Sequence, residues 1–391
     1  MSTNDIPVLV VGNHVTSLNI MRQLGRRKIN CYLTHKSSSN ISRYSKYCKG
    51  FFKSPSFTNI DEMTAFLLRL GDNPRLKNAI LVPTNDDCVI VLSQKKKILE
   101  DKFIVPLPRW ELVNRAFDKR LTLSLAEKAG LPIPKPIYPT NRKDMLNQIY
   151  KLEFPVVIKP AMGKKYYFAS GTKMHMANNI DECCFYFDKI AAIMGEDNII
   201  VQEYIPGPMD ELYNYSTVMK GGKPYGIFTG KKLRQHPRDF GVGTAAQSVN
   251  DPELIRVGTE LLRACEYEGI GYVEFKKDLR DGLYKLIEIN PRLWNFMDLA
   301  NALGVDLPWN LYCYATNQPI EEKIATGHFT WIHFWTDFGE TFKEVLKGRE
   351  GFKEYFHSLK GRKKIYAVAS WSDPLPFIFE TIMLPYLLLR R

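Results

Sequence analysis

The stretch GYVEFKKDLRDGLYKLIEINPR, residues 271–292, is the most informative segment of this chain. Two strand-like runs flank Asp281-Gly282, a dipeptide typical of the tip of a β-hairpin. Glu288 and Asn290 lie two residues apart on the second run, so both side chains point to one face. Carboxylate and amide oxygens are ligands that Mg²⁺ prefers, together with water and substrate phosphates. The hairpin therefore predicts a magnesium site, with a solvated acidic face as the alternative.

The pairing of the two runs can be predicted from parity. Glu274 on the first run can join the site only if it lies opposite Glu288, which requires an even sum of positions. With a two-residue turn at Asp281-Gly282, the positions of paired residues add up to an odd number. Glu274 and Glu288 would then not be paired, and one of them would point away from the metal site. We therefore expect an odd loop or a β-bulge in this hairpin. Ile287 and Ile289 are expected on the face opposite the metal ligands.

Lys159 follows an apolar run at 156–158 and precedes a glycine-containing segment at 163–171. A lysine at a strand end can reach phosphate oxygens, and a glycine-rich loop lets backbone N–H groups approach the same phosphates. Taken alone, this pattern also fits a solvated lysine at the edge of a strand.

A second apolar run at 199–205 enters a Pro-Gly turn. Backbone groups at such a strand end can pair with the Watson–Crick edge of adenine, and the Gln202 carbonyl oxygen can accept a bond from the exocyclic amine. Asp210 and Glu211 follow, where a carboxylate could bind ribose hydroxyls. An ordinary strand and turn is the alternative.

The first 113 residues alternate short apolar runs with helical patterns, which predicts a parallel sheet of nucleotide-binding type. Gly12-Asn13-His14 follows the first strand. A single glycine cannot form the phosphate turn of G-x-G-x-x-G, so the scaffold is expected without a bound dinucleotide.

The composition is that of a folded protein with more than one domain. The 391 residues are 45% hydrophobic and 25% charged, which excludes wholesale disorder and predicts two or more folded domains. The seven cysteines include no C-x-x-C pair, which favours reduced thiols in a cytoplasmic protein.

The net charge of +12 is concentrated at 26–53 and 343–364, without any nucleic-acid-binding motif. Nucleotide phosphates, an anionic acceptor or a membrane surface remain open as partners.

The apolar run at 375–389 contains Glu380 and two prolines and is closed by Arg390-Arg391. It is too short and interrupted for a spanning helix, which needs about 20 apolar residues. A packed C-terminal helix and an interfacial membrane anchor are both open.

Together these motifs resemble the ATP-grasp superfamily over most of residues 1–310. The resemblance implies α/β and α+β architecture in four parts. These are a Rossmann-like domain at 1–113, a lobe with the phosphate lysines and glycine loop at 114–200, a lobe with the adenine strand and metal hairpin at 201–318, and a small aromatic and basic extension at 319–391.

The resemblance also implies an ATP-dependent carboxylate–amine ligase that acts through an acyl phosphate and releases ADP and phosphate. Its implied site residues are Lys119 and Lys159 for the phosphates, Gln202, Glu203, Tyr204 and Ile205 for adenine, Asp210 or Glu211 for ribose, Glu274, Glu288 and Asn290 for one or two Mg²⁺ ions (or Mn²⁺), and Arg292 for the transferred phosphoryl group. The segment at 163–171 is expected to close over the phosphates, although Tyr166-Tyr167-Phe168 is bulky for a flap. The segment at 231–244 is similar to the substrate side of D-aspartate-ligase-like proteins, and Arg234 is the candidate clamp for the substrate carboxylate.

Two other functions compete with this one: a bicarbonate-activating carboxylase or carbamoyl-phosphate-type enzyme, and a non-catalytic nucleotide-binding protein. The expected substrates are a small carboxylate and an amine, with an amino acid as one candidate and an anionic polymer or membrane-linked acceptor as another. A homodimer and peripheral membrane attachment through the C-terminal tail are further expectations.

Overall fold

The computed structural model describes residues 6–12, 15–236, 241–348, 351–360 and 363–389. Asn13 and His14, positions 239–240 of the predicted substrate segment, and Arg390-Arg391 lie outside these ranges.

The first unit is a parallel sheet flanked by helices, as predicted. Its elements are β1 (Val8–Val11), α1 (Val15–Arg26), β2 (Cys31–His35), β3 (Cys48–Lys53), α2 (Ile60–Leu70), β4 (Ile80–Pro83), α3 (Asp86–Gln94), α4 (Lys96–Leu99) and α5 (Trp110–Phe117). The strand order is β3-β2-β1-β4, and β1 is fully buried at the centre. The carboxyl end of β4 leads directly into α3, which places its polar first turn at the sheet edge.

The second unit is a four-stranded antiparallel sheet in the order β5-β8-β6-β7. Its elements are α6 (Lys119–Lys128), β5 (Pro136–Ile137), α7 (Arg142–Gln148), β6 (Val156–Pro160), α8 (Lys164–Ser170), β7 (His175–Ala177), α9 (Ile180–Met194) and β8 (Ile199–Glu203). The Asp118 carboxylate accepts a bond from the Arg120 N–H and so caps α6. Strand β8, which carries the predicted adenine contacts, pairs within this sheet and therefore crosses the predicted domain boundary at residue 200.

The third unit is a seven-stranded sheet in the order β13-β12-β9-β10-β11-β14-β15. Its elements are β9 (Leu212–Lys220), β10 (Lys223–His236), β11 (Val242–Val249), α10 (Pro252–Ala264), β12 (Gly269–Lys277), β13 (Tyr284–Asn290), α11 (Asp298–Ala302), α12 (Leu307–Ala315), β14 (Phe329–Ile332), α13 (Phe334–Leu346), α14 (Phe352–Ser358), β15 (Lys363–Tyr366) and α15 (Leu375–Leu389).

The C-terminal extension is part of the fold rather than a separate lobe. Strands β14 and β15 extend the central sheet, and Trp331 and Ala367 are buried in the same core as Val10 and Met21 of the first unit. A buried ion pair joins Arg22 to Asp373 at 2.9 Å. The first and third units are therefore held together by one shared core.

Candidate active site

A cavity of about 650 Å³ lies where the three units meet. Strands β6 and β8 line one side, β10, β12 and β13 line the other, and Thr84 and Asn85 at the end of β4 close one end. A concave site of this size between domains is typical of a binding site for a small molecule.

Lys159 is buried in this cavity, with 4% of its surface exposed. Within the part of the chain that is described, its ammonium has neither an ion pair nor a hydrogen bond. Burial lowers the pKa of Lys159 to about 7, and the positive charge of Lys119 adds to this effect. A buried cation without an internal partner is a group that an anionic ligand would stabilise.

Lys119 is the first residue of α6. It is not among the cavity-lining residues, but its charge reaches the site, since it acts on the pKa of both Lys159 and Glu288. The structure thus brings the two predicted phosphate lysines near each other and near the predicted metal ligands.

Glu274 and Glu288 are directly opposed on β12 and β13, as the magnesium prediction requires. The pairing is Phe275 with Leu286 and then Glu274 with Glu288, which leaves Ile287 as an unpaired bulge residue. The predicted bulge is therefore confirmed. The placement of Ile287 opposite the ligands was wrong, because the bulge turns it to the cavity, whereas Ile289 is buried in the core.

The Glu288 carboxylate is held in its ionised form. Burial alone would raise its pKa, but the Lys119 charge, the Asn290 hydrogen bond, and the Lys173 and Lys232 charges lower the pKa of Glu288 to about 2. Asn290 donates from Nδ2 to Glu288 Oε1 at 3.0 Å. The two side chains therefore form one oxygen-rich cluster on β13.

Glu274 is bound by two residues that were not among the predicted site residues. Lys232 Nζ donates to both carboxylate oxygens at 2.9 and 2.8 Å, and the Tyr272 hydroxyl donates to Oε1 at 2.8 Å. Both are largely buried and line the cavity. Lys232 belongs to the segment at 231–244 that is similar to the substrate side of D-aspartate-ligase-like proteins, and that resemblance was the available signal. A register shift between Lys232 and Arg234 separates the two residues, and Lys232 lines the cavity whereas Arg234 does not.

The donor set fits a magnesium ion that binds with a nucleotide. Among the described residues no group of three or more His, Cys, Asp or Glu side chains could hold a metal. Glu274, Glu288 and Asn290 offer two carboxylates and an amide, and Mg²⁺ commonly takes one or two carboxylates plus phosphate oxygens and water.

Arg292 connects this cluster to the first unit. Its Nε donates to Asp86 Oδ1 at 2.5 Å, and its Nη2 donates to Asn290 Oδ1 at 3.1 Å. Arg292 lines the cavity close to Asn85 and Asn295. The guanidinium is therefore fixed beside the predicted metal ligand Asn290 and beside Asp86 of the first unit.

Strand β8, which carries the predicted adenine contacts, has an unpaired acceptor. Gln202 is 5% exposed, and its Oε1 is buried without a hydrogen-bond partner among the described residues. Tyr204 and Ile205 line the cavity beside it. A buried polar atom without a partner is costly in the free protein, which favours a ligand with a donor at this position.

Glu203 also lines the cavity, but its carboxylate is engaged in the protein. It accepts a bond from Lys285 Nζ at 3.0 Å and from the Lys135 N–H at 3.1 Å. Asp210 and Glu211 lie in a 3₁₀ turn before β9 and are not among the cavity-lining residues. Asp210 Oδ2 lies 3.4 Å from Lys231 Nζ, so the ribose assignment stays a prediction.

The segment expected to be a flexible glycine loop is largely helical. Helix α8 covers Lys164–Ser170 and ends at Gly171 in the left-handed conformation. Tyr166 is buried, and its hydroxyl lies 2.6 Å from His175 Nε2. The expectation of a loop was wrong for these residues, because seven residues without glycine or proline form a helix anchored by Tyr166. Closure of this segment over the phosphates stays a prediction.

Arg234 does not lie in the cavity. Its Nε and Nη2 donate to the two carboxylate oxygens of Asp337 at 2.9 and 2.7 Å, and its guanidinium lies 4.8 Å from the ring centre of Tyr355. The bidentate geometry proposed for a substrate carboxylate is thus used by Asp337 of α13. The role of Arg234 as a substrate clamp stays a prediction that this geometry does not favour.

Comparison with known proteins supports the predicted fold. No protein-family model matches the sequence. The chain is 26% identical over 317 residues to D-aspartate ligase of Enterococcus faecium (strain Aus0004), which covers 73% of each chain. Its structure matches an ADP complex of N5-carboxyaminoimidazole ribonucleotide synthetase with a TM-score of 0.65 and 13% identity, over 89% of this chain and 86% of that one. The chain has the ATP-grasp fold.

Two further similarities support the ATP-grasp assignment. An L-amino acid ligase from Bacillus licheniformis matches with a TM-score of 0.62 and 14% identity, over 81% of this chain and 75% of that one. The large chain of carbamoyl phosphate synthase from Pyrococcus furiosus is 25% identical over 201 residues, half of this chain and 18% of the relative. The ATP-grasp chain therefore spans about a fifth of that larger protein. The two solved structures support the fold alone.

Proposed function

We propose that this ATP-grasp protein is an ATP-dependent carboxylate–amine ligase. The observation that carries the proposal is the unpartnered, buried Lys159 in the same cavity as the opposed carboxylates Glu274 and Glu288. A cation for phosphate and two oxygen ligands for magnesium are what phosphoryl transfer from ATP requires. D-Aspartate ligase and L-amino acid ligase, to which the chain is similar, are ligases by name.

The nucleotide occupies the end of the cavity formed by β6, β8 and the bulge of β13. Gln202 Oε1 accepts a bond from the exocyclic amine, Tyr204 and Ile205 contact the base, and the side chain of Ile287 packs on it. Glu203 contributes through its backbone, since its carboxylate is paired. Asp210 or Glu211 binds the ribose hydroxyls after a small movement of the 3₁₀ turn.

Lys159 and Lys119 bind the phosphates, and Glu274, Glu288 and Asn290 hold one or two Mg²⁺ ions, for which Mn²⁺ can substitute. The metal supplies positive charge to the phosphate oxygens. Lys232 holds the Glu274 carboxylate in place until the metal and the nucleotide bind.

The acid enters at the opposite end, beside Thr84, Asn85 and Asn295. A carboxylate oxygen of the acid attacks the γ-phosphorus, the bond to the ADP oxygen breaks, and an acyl phosphate forms. Arg292 stabilises the charge on the transferred group. The amine then attacks the acyl carbon, an amide bond forms, phosphate leaves, and the amine proton passes to solvent, since no described side chain is placed as a base. Catalysis rests on positioning and on charge stabilisation.

The substrate pair is a small carboxylic acid and an amine, with amino acids as the first candidates. We place the protein in the cytoplasm and expect a homodimer. In a variant of this proposal, the amine substrate is part of an anionic polymer that acts as the acceptor. Activation of bicarbonate is the competing function within the same fold.

The test measures ADP release from Mg-ATP with a panel of acids and amines, with bicarbonate as a separate arm. Glu288→Gln removes one proposed metal ligand, and Glu260→Gln on the exposed face of α10 is the matched control. We expect ADP release that depends on one acid–amine pair and falls at least about 100-fold in Glu288→Gln only. ADP release that requires bicarbonate alone supports the carboxylase instead. Absence of ATP binding contradicts the proposal.

A further inference from the structure

Helix α15 presents an apolar face to solvent. Leu375, Ile378 and Ile382, at positions i, i+3 and i+7, are 56%, 48% and 70% exposed, and Trp371 just before the helix is fully exposed. Single exposed apolar side chains are ordinary, but a stripe of this kind on one helix marks an interaction surface. We call these four residues the apolar stripe.

Other side chains of α15 fix the helix to the body of the protein. Glu380 Oε1 lies 2.8 Å from His333 Nε2, Trp335 donates from Nε1 to Thr381 Oγ1 at 3.0 Å, and the Phe379 ring stacks on Tyr44. Helix α15 is therefore packed on the protein through these contacts, while the apolar stripe remains exposed to solvent.

The start of α15 lies against the most basic part of the chain. Residues 26–53 contain eight lysines and arginines and no acidic residue. The Lys46 N–H donates to Asp373 Oδ1 at 2.9 Å, and Ser45 Oγ donates to Asp373 Oδ2 at 2.7 Å, so this segment is tied to the residues that precede the helix. Lys46 is exposed, as are Arg43 and Lys49.

Three of these lysines surround a small cavity of about 340 Å³. Its lining is Gly25, Lys28, Ile29, Asn30, Lys46, Tyr47 and Lys49. Across the described ranges of the chain, no carboxylate pairs with any of the three lysine side chains. Unpaired cations around a concavity favour an anionic group, such as the phosphate of a lipid headgroup.

We propose that the apolar stripe and the neighbouring cations bind the surface of an anionic lipid bilayer, with α15 lying in the headgroup plane. Exposed aliphatic and aromatic side chains beside lysines and arginines are typical of interfacial binding to anionic lipid. Helix α15 itself contains no basic residue, so the segment at 26–53 supplies the cations. None of the described helices is long and apolar enough to cross a bilayer. A second copy of this chain would bring two basic surfaces together, and their repulsion disfavours that occupant.

The test is co-sedimentation of the full-length protein with vesicles of phosphatidylcholine alone and of phosphatidylcholine mixed with phosphatidylserine. No nucleotide is added, so the result is independent of the ligase proposal. The double variant Ile378→Glu/Ile382→Glu alters the stripe, and Lys46→Glu/Lys49→Glu alters the cations. The matched controls are Phe185→Glu, an exposed aromatic on α9, and Lys128→Glu/Lys143→Glu, exposed on the second unit.

We expect binding to the anionic vesicles only, and a loss of about tenfold or more in affinity for both test variants but not for the controls. Thermal unfolding of each variant checks that it is folded. The proposal is overturned if the wild-type protein does not bind anionic vesicles, or if the control variants lose as much affinity as the test variants. It is also overturned if soluble polyglutamate binds as tightly as the vesicles and this binding is unaffected by the stripe variant. A dimer that dissociates in Ile378→Glu/Ile382→Glu also overturns it, since the occupant would then be a second copy.

Discussion

Glu274 and Glu288 are directly opposed on neighbouring antiparallel strands, although the loop that joins these strands has the wrong parity for that pairing. Asp278 and Leu283 close a four-residue loop through the bond from Asp278 N–H to the Leu283 carbonyl. Without a bulge, this register would place Ile287 opposite Glu274. The extra residue at Ile287 corrects the pairing and adds an apolar side chain to the cavity wall, so one irregularity positions the predicted metal ligands and shapes the cavity.

The first prediction concerns Lys159 and stability. Its ammonium titrates near pH 7 in the folded protein because it is buried, but near its ordinary, higher value in the unfolded chain. The unfolded state therefore binds more protons above about pH 7, so this group makes stability rise with pH across that window. Below pH 7 the full cost of a buried charge is present. Lys159→Met should stabilise the free protein by on the order of a few kcal/mol near pH 6, and by less near pH 9.

Urea unfolding of wild type and Lys159→Met at both pH values measures this effect, with the exposed Lys128→Met as control. The same variant should bind ATP far more weakly. A variant that is less stable than wild type at the lower pH would show that Lys159 has a partner that stabilises its charge.

The second prediction concerns Lys232, which binds both oxygens of Glu274. Lys232→Met removes a positive charge beside Glu274 and Glu288, two opposed and largely buried carboxylates. We expect a loss of about 1–3 kcal/mol in the free energy of unfolding. We also expect Mg²⁺ alone to raise the melting temperature of this variant more than that of wild type, because the metal replaces the lost cation.

Thermal unfolding with and without Mg²⁺ tests this, and Lys231→Met is the neighbouring control, since its side chain lies near Asp210 instead. Equal Mg²⁺ effects in all three proteins would argue against a cation site between Glu274 and Glu288.

The third prediction concerns the buried pair that joins the C-terminal extension to α1. Asp373 accepts bonds from Arg22 Nε, Ser45 Oγ and the Lys46 N–H, and both Arg22 and Asp373 are almost fully buried. Asp373→Asn leaves the Arg22 charge uncompensated and should cost about 3–5 kcal/mol. Asp306→Asn, which affects the more exposed pair with Arg27 and keeps its helix cap, should cost less than about 1 kcal/mol. Chemical denaturation compares them, and similar costs would contradict this account.

Local patterns predicted much of the fold and site. The hairpin at 271–292 and its bulge follow from alternation and parity, and the strand that carries Lys159 follows from its apolar run. These patterns depend only on neighbouring residues. The helix at Lys164–Ser170 could also have been predicted, because the segment between Gly163 and Gly171 contains no helix-breaking residue.

Contacts between distant segments could not be predicted in this way. Asp337 lies 103 positions from Arg234, and Asp86 lies 206 positions from Arg292, so no local pattern reveals that these charges meet. The same holds for Lys232 and Glu274, which lie on strands separated by β9 in the sheet. Arg234, Arg292 and Lys232 each have a carboxylate partner from a distant part of the sequence. These partners become visible only when the units are packed together in the structure.

The central claim, that a carboxylate is activated as an acyl phosphate, is tested most directly by oxygen transfer. The acid substrate is labelled with ¹⁸O in its carboxylate, and the phosphate released in the presence of the amine is analysed by mass spectrometry. The account predicts that each phosphate carries one labelled oxygen, and that Glu288→Gln releases neither ADP nor labelled phosphate. Phosphate without label, formed at the same rate as ADP, would show attack by water and would contradict the ligase mechanism.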